Sequence, residues 1–426
     1  MTDLITIGKN AKLASAKLIG LSSEDKNRVL LKAADALEDA VNVSEILSAN
    51  QKDLENAEKN GMSEGLKDRL RLTEARLHDM ASAVRDITGL PDPVGATLET
   101  IERPNGLRLV KTAVPIGVVG IIYEARPNVT SDAWSLCFKT SNAVILKGGS
   151  DAINSNKAIV AVIRRALEAS GVDPDSLILI EATDHETTNR FMQLNDYVDV
   201  IIPRGSKRLI KAVVDNASVP VIETGAGNCH IYIEKSGEVE KAVPIVYNAK
   251  TQRIGVCNAC ESLVVDREAL PKLVPVVEKL QEKSVTVYAD EEAYETLEEA
   301  SKDGKIRMEL VEKASEEDFS TEYLDYKISV KTVSGVSEAI YHINNNSTHH
   351  SEAIISEDPA AAGKFLNEID SACVYWNAST RFTDGGCFGF GAEIGISTSK
   401  LHARGPMGLR ELTTYKYRIY GNGQVR

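Results

Sequence analysis

The feature that most constrains the fold is an alternation of short Val- and Ile-rich runs with amphipathic segments, which begins at residue 116. The predicted strands are 116–122, 143–146 and 177–180, the predicted helices are 130–140 and 154–169, and the series continues through 199–202, 209–214 and 219–222. Near-continuous apolar strands separated by helices indicate a parallel sheet that is covered on both faces. The chain is therefore predicted to have an α/β fold.

A second alternation follows a short glycine-rich connector, Gly225-Ala226-Gly227. Its predicted strands are 230–233, 263–265, 285–289 and 328–333. Because 426 residues exceed what one hydrophobic core usually serves, two sheets in two domains are expected, with the change of domain near the connector.

The first hundred residues are predicted to be helical, with Ser22 or Ser23 as an N-cap and a second helix over 74–87. Neither helix carries visible chemistry. Residues 98–112 are predicted to form a hairpin around the Asn-Gly pair at 105–106, and the Tyr-rich segment 413–420 is a candidate strand.

Composition excludes several classes of function. The chain carries 49 Lys and Arg against 62 Asp and Glu, a net charge of −13, which disfavours nucleic acid or an anionic membrane as partner. An anionic substrate would then need a local cluster of Lys and Arg. No apolar run approaches the roughly 20 residues of a membrane span, and the N-terminal segment that begins with Met1 and Thr2 lacks the pattern of a secretory signal. Six cysteines in a chain of this length do not form a disulfide framework, so we expect a cytoplasmic protein.

Cys257 is the candidate nucleophile. It lies shortly before the apolar run 263–265, Gly255 permits close backbone approach, and Lys250 and Arg253 precede it. The alternative is a small buried apolar residue, and the polar neighbour Asn258 argues against a sealed core.

Cys257 and Cys260 also form a C-x-x-C pair, which would suit a thiol-redox or zinc-binding protein. A structural zinc site needs a second pair of ligands, and the remaining cysteines are isolated from one another along the chain. The pair also runs towards a strand and does not open a helix. We therefore predict no metal and keep the redox or zinc protein as the alternative of another class.

Five segments together resemble the gamma-glutamyl phosphate reductases, a branch of the aldehyde dehydrogenase superfamily: NAKTQRIGVC at 248–257, YEARPNVT at 123–130, KGGS at 147–150, GFGAEIG at 389–395 and HARGPMGL at 402–409. The resemblance implies an aldehyde dehydrogenase-like fold with two parallel-sheet α/β domains and a projecting oligomerisation β-ribbon, hence a homo-oligomer. The implied division is a nucleotide-binding domain (1–97 and 113–226), a catalytic cysteine domain (227–400), and a ribbon with the C-terminal tail (98–112 and 401–426).

The resemblance also implies the reaction, a step of proline biosynthesis. Cys257 would displace phosphate from L-glutamyl 5-phosphate to form a thioester, with Asn128 and the Cys257 N–H holding the oxyanion. Reduction of the thioester by NADPH would release L-glutamate 5-semialdehyde. Functional coupling to glutamate 5-kinase is expected.

No G-x-G-x-x-G motif follows any predicted strand, so the cofactor residues also come from the resemblance. Lys147 would contact the adenosine ribose, Gly205 and Ser206 would lie at the pyrophosphate, and Glu322 would hold the nicotinamide ribose. Ser150 stands where NAD-preferring relatives often have a Glu, which favours NADPH over NADH.

Candidate clamps for the phosphate and carboxylate of the substrate are Arg126, Arg253 and Arg381, since guanidinium groups bind such anions in a bidentate manner. The sequence leaves open which arginine binds which anion, and structural ion pairs are the alternative for each. Glu223 matches the general base of aldehyde-oxidising relatives, so a hydrolytic NAD(P)-dependent aldehyde dehydrogenase is the alternative within the same fold.

Overall fold

The computed structural model of the chain describes residues 3–426. Met1 and Thr2, which belong to the segment in which no secretory signal was predicted, lie outside the described residues. Within 3–426 the strands form two parallel sheets, a three-stranded antiparallel sheet and a two-stranded antiparallel pair. No helix in this part of the chain combines the length and apolarity that crossing a membrane requires.

The helices are α1 (Leu4–Leu18), α2 (Ser23–Glu38), α3 (Ala40–Lys59), α4 (Glu64–Leu70), α5 (Glu74–Thr88), α6 (Asn128–Lys139), α7 (Ile153–Glu168), α8 (His185–Phe191), α9 (Lys207–Asn216), α10 (Val239–Thr251), α11 (Leu270–Gln281), α12 (Glu291–Ser301), α13 (Val336–Asn346) and α14 (Pro359–Glu368). The strands are β1 (Thr97–Glu102), β2 (Arg108–Pro115), β3 (Val118–Tyr123), β4 (Ala143–Gly148), β5 (Leu177–Leu179), β6 (Val200–Arg204), β7 (Cys229–Ile233), β8 (Cys260–Asp266), β9 (Thr286–Ala289), β10 (Val311–Lys313), β11 (Lys327–Val333), β12 (Ser351–Ile355), β13 (Cys373–Trp376), β14 (Gly395–Ser397), β15 (Gly405–Met407) and β16 (Thr413–Tyr420).

The first parallel sheet has the strand order β5-β4-β3-β6. The chain runs outward from β3 through β4 to β5 and then returns to place β6 on the other side of β3. The order therefore reverses between β3 and β6, and the crevice outside the carboxyl ends of these two strands is where such sheets bind ligands. Of the predicted segments, 209–214 lies in α9, and 219–222 contributes one parallel bridge between Ile201 and Val221.

The N-terminal helices pack on this sheet in one continuous core that contains Leu30, Val84, Trp134 and Ile163. The predicted cap of α2 is confirmed at Ser22, whose side chain accepts the Asp25 N–H in a capping box. Helix α4 lies within the hundred residues that were predicted to be helical, but the sequence did not define its bounds, because its few apolar residues give no clear helical period.

The second parallel sheet has seven strands in the order β10-β9-β11-β8-β7-β12-β13. The predicted strands correspond to β7, β8, β9 and β11. The others were missed because they are short or polar: β10 has three residues, and β12 begins with Ser351 and Glu352, which are both buried.

The antiparallel sheet, with strand order β1-β2-β16, contains both the predicted hairpin and the predicted C-terminal strand. Between β13 and β16 the chain returns to the first domain, since Ile394, Met407 and Leu412 pack into the core that contains Trp134. The packing therefore differs from the predicted division, which assigned 227–400 to the cysteine domain and 401–426 to the tail.

Candidate active site

Cys257 lies in the loop between α10 and β8, against the connector that joins the two parallel sheets. The connector residue Gly227 approaches so closely that a Cβ atom there would overlap the Cys257 carbonyl group. The Cys229 thiol also donates to the Cys257 carbonyl oxygen, with the sulfur 3.1 Å from the oxygen. These contacts hold the half-buried sulfur at the junction of the two domains.

The charges around Cys257 differ from those predicted. Burial raises the pKa of the thiol to about 11, and Glu393 and Glu322 add to this effect while Arg204 opposes it. Lys250 was expected to favour the thiolate, but it is fully buried and its Nζ lies 2.5 Å from Glu261 Oε2. The reason is that Lys250 lies on the inward face of α10, where its charge compensates the buried carboxylate of Glu261.

Asn128 is the first residue of α6 and lies beside the loop that carries Cys257. Its Nδ2 donates to Asp132 Oδ2 at 2.9 Å, which leaves the second N–H of the amide available to a ligand. Asn128, Asp132, Arg126 and Arg253 line one cavity of about 610 Å³, together with residues of α4 and α5.

Positive charge is concentrated around this cavity. The pKa of Arg126 is lowered, first by desolvation and then by the neighbouring charges of Arg204, Arg69 and Arg253. None of these four guanidinium groups forms an ion pair or a side-chain hydrogen bond with another described residue. In a chain whose net charge is −13, unpaired guanidinium groups at one place indicate a site for an anionic ligand.

Arg381 is held against the loop that carries Cys257. Its Nε donates to Gln252 Oε1 at 3.0 Å, and its Nη1 donates to Asn258 Oδ1. The pKa of Arg381 is lowered mainly by desolvation and next by Arg253, and the Cys257 sulfur acts in the opposite direction. Arg126 and Arg381 are therefore close enough to the sulfur to be affected by it, and Arg253, the third predicted arginine, lines the neighbouring cavity.

The predicted pyrophosphate residues lie at the crevice between β3 and β6. The Ser206 N–H and hydroxyl both donate to the carboxylate of Glu124, at 2.8 and 3.2 Å, so an anion already lies at the N-terminus of α9. Gly205 leaves room for it, because a Cβ atom there would contact Glu124. This arrangement fits a cofactor whose pyrophosphate takes the place of the carboxylate.

The predicted ribose residues lie at the end of the neighbouring strand. Lys147 in β4 is buried, its Nζ donates to the Gly148 carbonyl group at 3.2 Å, and burial lowers its pKa while Asp184 opposes the effect. Ser150 is exposed and begins a short turn before α7.

Glu322 reaches the connector from the second domain: its Oε1 accepts the Gly227 N–H at 2.7 Å. Because Gly227 contacts Cys257, the carboxylate lies close to the sulfur, as its effect on the thiol also indicates. Glu223 is half-buried two residues before the same connector and forms no side-chain hydrogen bond within residues 3–426.

Comparison with known proteins identifies the family. The model of the aldehyde dehydrogenase family matches residues 2–317. A gamma-glutamyl phosphate reductase of Lachnospira eligens is 55% identical over the full length of both chains, and one of Clostridium perfringens is 52% identical over 100% of this chain and 99% of that protein. The crystal structure of gamma-glutamyl phosphate reductase from Thermotoga maritima, 46% identical, superposes with a TM-score of 0.95 and full coverage of both chains.

This chain belongs to the aldehyde dehydrogenase family. Within that family it belongs to the gamma-glutamyl phosphate reductases, since relatives of that group match it from end to end at more than half identity. Both the resemblance found in the sequence motifs and the predicted fold class are confirmed, and the chain is an oxidoreductase.

Membership in this family bears on the two alternatives. Cys260 is fully buried at the start of β8, where its thiol donates to the Ser262 carbonyl group and burial raises its pKa to about 12. It therefore belongs to the core of the second domain, whereas Cys257 is half-buried at the cleft. The comparisons give no support to a redox protein or a hydrolytic aldehyde dehydrogenase.

Two arginines that the structure places at this candidate site were not identified from the sequence, Arg204 and Arg69. Arg204 ends β6, at the carboxyl edge of the sheet where ligands are expected, so its position in the strand series could have identified it. Arg69 lies in α4, and no local signal distinguishes it from a solvated surface residue.

Proposed function

We propose that this chain catalyses the NADPH-dependent reductive dephosphorylation of L-glutamyl 5-phosphate to L-glutamate 5-semialdehyde. One observation carries the proposal. Several arginines without acidic partners lie around Cys257, in a protein that is otherwise acidic. A phosphorylated amino acid brings the phosphate and carboxylate that such a group binds. Relatives that match the whole chain are named gamma-glutamyl phosphate reductase.

In this mechanism the Cys257 thiolate attacks the acyl carbon, the bond from that carbon to the phosphate oxygen breaks, and a thioester and inorganic phosphate result. The free N–H of Asn128 and the backbone N–H of Cys257 stabilise the oxyanion, and donors of this kind contribute about a hundred- to a thousand-fold in rate each. Arg204 is the cation with the largest effect on the sulfur, and with Arg381 it faces the departing phosphate.

NADPH, when bound, supplies the hydride that reduces the thioester. The chain holds the cofactor with Ser206 and Gly205 at the pyrophosphate, Lys147 at the adenosine ribose and Glu322 at the nicotinamide ribose. Ser150 presents no negative charge to a 2′-phosphate, which supports NADPH over NADH.

The acyl phosphate must come from a kinase that acts on the same carboxyl group, so we propose functional coupling to glutamate 5-kinase. We also propose that the protein acts in the cytoplasm, where thiols stay reduced, since its six cysteines are free. Assembly into a homo-oligomer through the sheet β1-β2-β16 belongs to the same proposal.

The experiment runs the reaction in reverse. Purified protein receives L-glutamate 5-semialdehyde and NADP, and NADPH is followed by absorbance with and without inorganic phosphate. We expect NADPH formation only with phosphate, no turnover by Cys257→Ala, and retained turnover by the control Cys260→Ser. Turnover without phosphate that is lost in Glu223→Gln would instead identify a hydrolytic aldehyde dehydrogenase.

A further inference from the structure

The cavity beside the loop that carries Cys257 is lined by acidic side chains as well as arginines: Asp132 is half-buried, whereas Asp68 and Asp79 are exposed. Asp132, one helical turn after Asn128 on α6, lines the cavity with Arg69, Arg126 and Arg253. Burial raises the pKa of Asp132 to about 6, and the Asn128 and Ser131 side chains donate to it. No Lys, Arg or His side chain in residues 3–426 lies within ion-pair distance of this carboxylate.

The opposite wall of the cavity comes from the N-terminal helices. Arg69 on α4 extends towards the loop that carries Cys257, so that a Cβ atom on Gly255 would lie 3.3 Å from Arg69 Nη2. Its charge also acts on Arg126 across the cavity. Arg69 is therefore a cation without a partner. It approaches the loop at Gly255, two residues before the proposed nucleophile Cys257.

We propose that this cavity is the subsite for the α-amino acid group of the substrate, in which Asp132 binds the ammonium while Arg69 and Arg126 bind the carboxylate. The inference rests on the proposed function and names the residues that select its substrate. The reacting carbon of glutamyl phosphate is separated from the α-carbon by two methylene groups. The phosphate, bonded to the reacting carbon, therefore falls to Arg204 and Arg381 near the sulfur, and the amino acid group reaches the far end of the cavity.

Opposite charges explain why the site would select a zwitterion. Arginines alone would accept any small dianion. The Asp132 carboxylate, by contrast, has no cationic partner, and burying it behind a ligand costs free energy unless that ligand supplies a cation. The ammonium group of an amino acid is such a cation. Asp132 also accepts a hydrogen bond from Asn128. The same carboxylate would therefore bind the ammonium group and orient the oxyanion donor.

The test compares three aldehydes in the phosphate- and NADP-dependent assay. L-glutamate 5-semialdehyde carries both groups, 5-oxopentanoate lacks the ammonium, and 4-aminobutanal lacks the carboxylate. We expect Asp132→Asn, which keeps an oxygen to accept from Asn128, to lower kcat/KM about ten- to a hundred-fold more for the two amine-bearing aldehydes than for 5-oxopentanoate. We expect Arg69→Met to lower kcat/KM for the two carboxylate-bearing aldehydes and to spare 4-aminobutanal.

Asp86→Asn, an exposed position on α5, is the matched control and should leave all three values unchanged. Equal losses with all three aldehydes in Asp132→Asn would show that Asp132 acts only through Asn128, and would overturn the proposal. If that variant does not fold, the unaltered protein decides: equal kcat/KM for the semialdehyde and 5-oxopentanoate overturns the ammonium subsite. An unaltered protein that turns over none of the aldehydes refutes the proposed function instead.

Discussion

At the scale of single residues, the reactivity of Cys257 results from opposing effects. Burial, Glu393 and Glu322 favour the neutral thiol, and Arg204 favours the thiolate. With a pKa of about 11, the thiolate fraction is small near neutral pH and increases about tenfold per pH unit below that value. Two substitutions separate these contributions.

We predict that Arg204→Gln slows alkylation of Cys257 by iodoacetamide at pH 8 and that Glu393→Gln accelerates it, each by about threefold or more, because a charge near the sulfur shifts its pKa. The rate, measured by mass spectrometry of the Cys257 peptide, should increase about tenfold from pH 8 to pH 9 in all three proteins. A Cys387→Ser background removes the exposed competing thiol. Equal rates in both variants would contradict this account.

A second prediction concerns the buried pair Lys250–Glu261, in which both side chains are fully buried. Lys250→Met leaves Glu261 without its partner, and breaking such a pair costs about 3–5 kcal/mol. We expect the midpoint of thermal unfolding at pH 8 to fall by about 5 °C or more, as followed by circular dichroism.

The loss should be smaller at pH 5. The pKa of Glu261 in the folded chain is already raised to about 7 by burial, and without Lys250 it rises further. Because the pKa of Glu261 is higher in the folded than in the unfolded chain, folding takes up a proton. Protonated Glu261 therefore favours the folded state at low pH, and this stabilisation is lost as the pH rises through the folded-state pKa. Lys364→Met, from the exposed pair Lys364–Glu368, is the control and should change the midpoint little. An equal loss at both pH values would contradict the prediction.

At the scale of elements, the site forms where the carboxyl ends of parallel strands meet the N-termini of helices. Strand β3 leads to Glu124 and to α6, which begins with Asn128, while β6 ends at Arg204 and is followed by α9. The carboxylate of Glu124 lies at the amide end of α9, where an anion is stabilised by the helix. In the proposed mode of cofactor binding, this carboxylate and the pyrophosphate would compete for the same donors.

We therefore predict that Glu124→Gln tightens NADP binding about two- to fivefold, since it removes a negative charge from the pyrophosphate position. Isothermal titration calorimetry at low ionic strength measures the dissociation constant. Glu168→Gln, at the exposed end of α7, is the control and should bind NADP like the unaltered protein. Weaker binding by Glu124→Gln would show that the carboxylate holds the cofactor and does not compete with it.

At the scale of the whole molecule, β16 is an eight-residue edge strand of the antiparallel sheet. Tyr415, Tyr417 and Ile419 lie on one face of it and are all exposed, Ile419 to 60%. An exposed edge strand tends to pair with another chain unless it is covered, and β16 also presents one apolar face. The predicted contact between copies of this chain would cover it.

We expect Ile419→Lys to lower the molar mass in solution, measured by size-exclusion chromatography with light scattering, because a lysine on the apolar face opposes burial in a subunit contact. Tyr341→Ser, which alters an exposed aromatic residue on α13, is the control and should leave the mass unchanged. A monomeric mass for the unaltered protein, or an unchanged mass for Ile419→Lys, would contradict assembly through this sheet.

The sequence by itself determined the two parallel sheets, most of their strands and the candidate nucleophile, because apolar periodicity and short motifs are local properties. The tertiary structure decided which charges surround Cys257. Lys250 is close to Cys257 in sequence but is paired with Glu261, whereas Arg204, far away in sequence, acts on the thiol. Arg69 is also distant in sequence, and it reaches the same loop at Gly255. The physical reason is that the energy of a charge depends on every group packed around it, and packing joins segments that the sequence keeps apart.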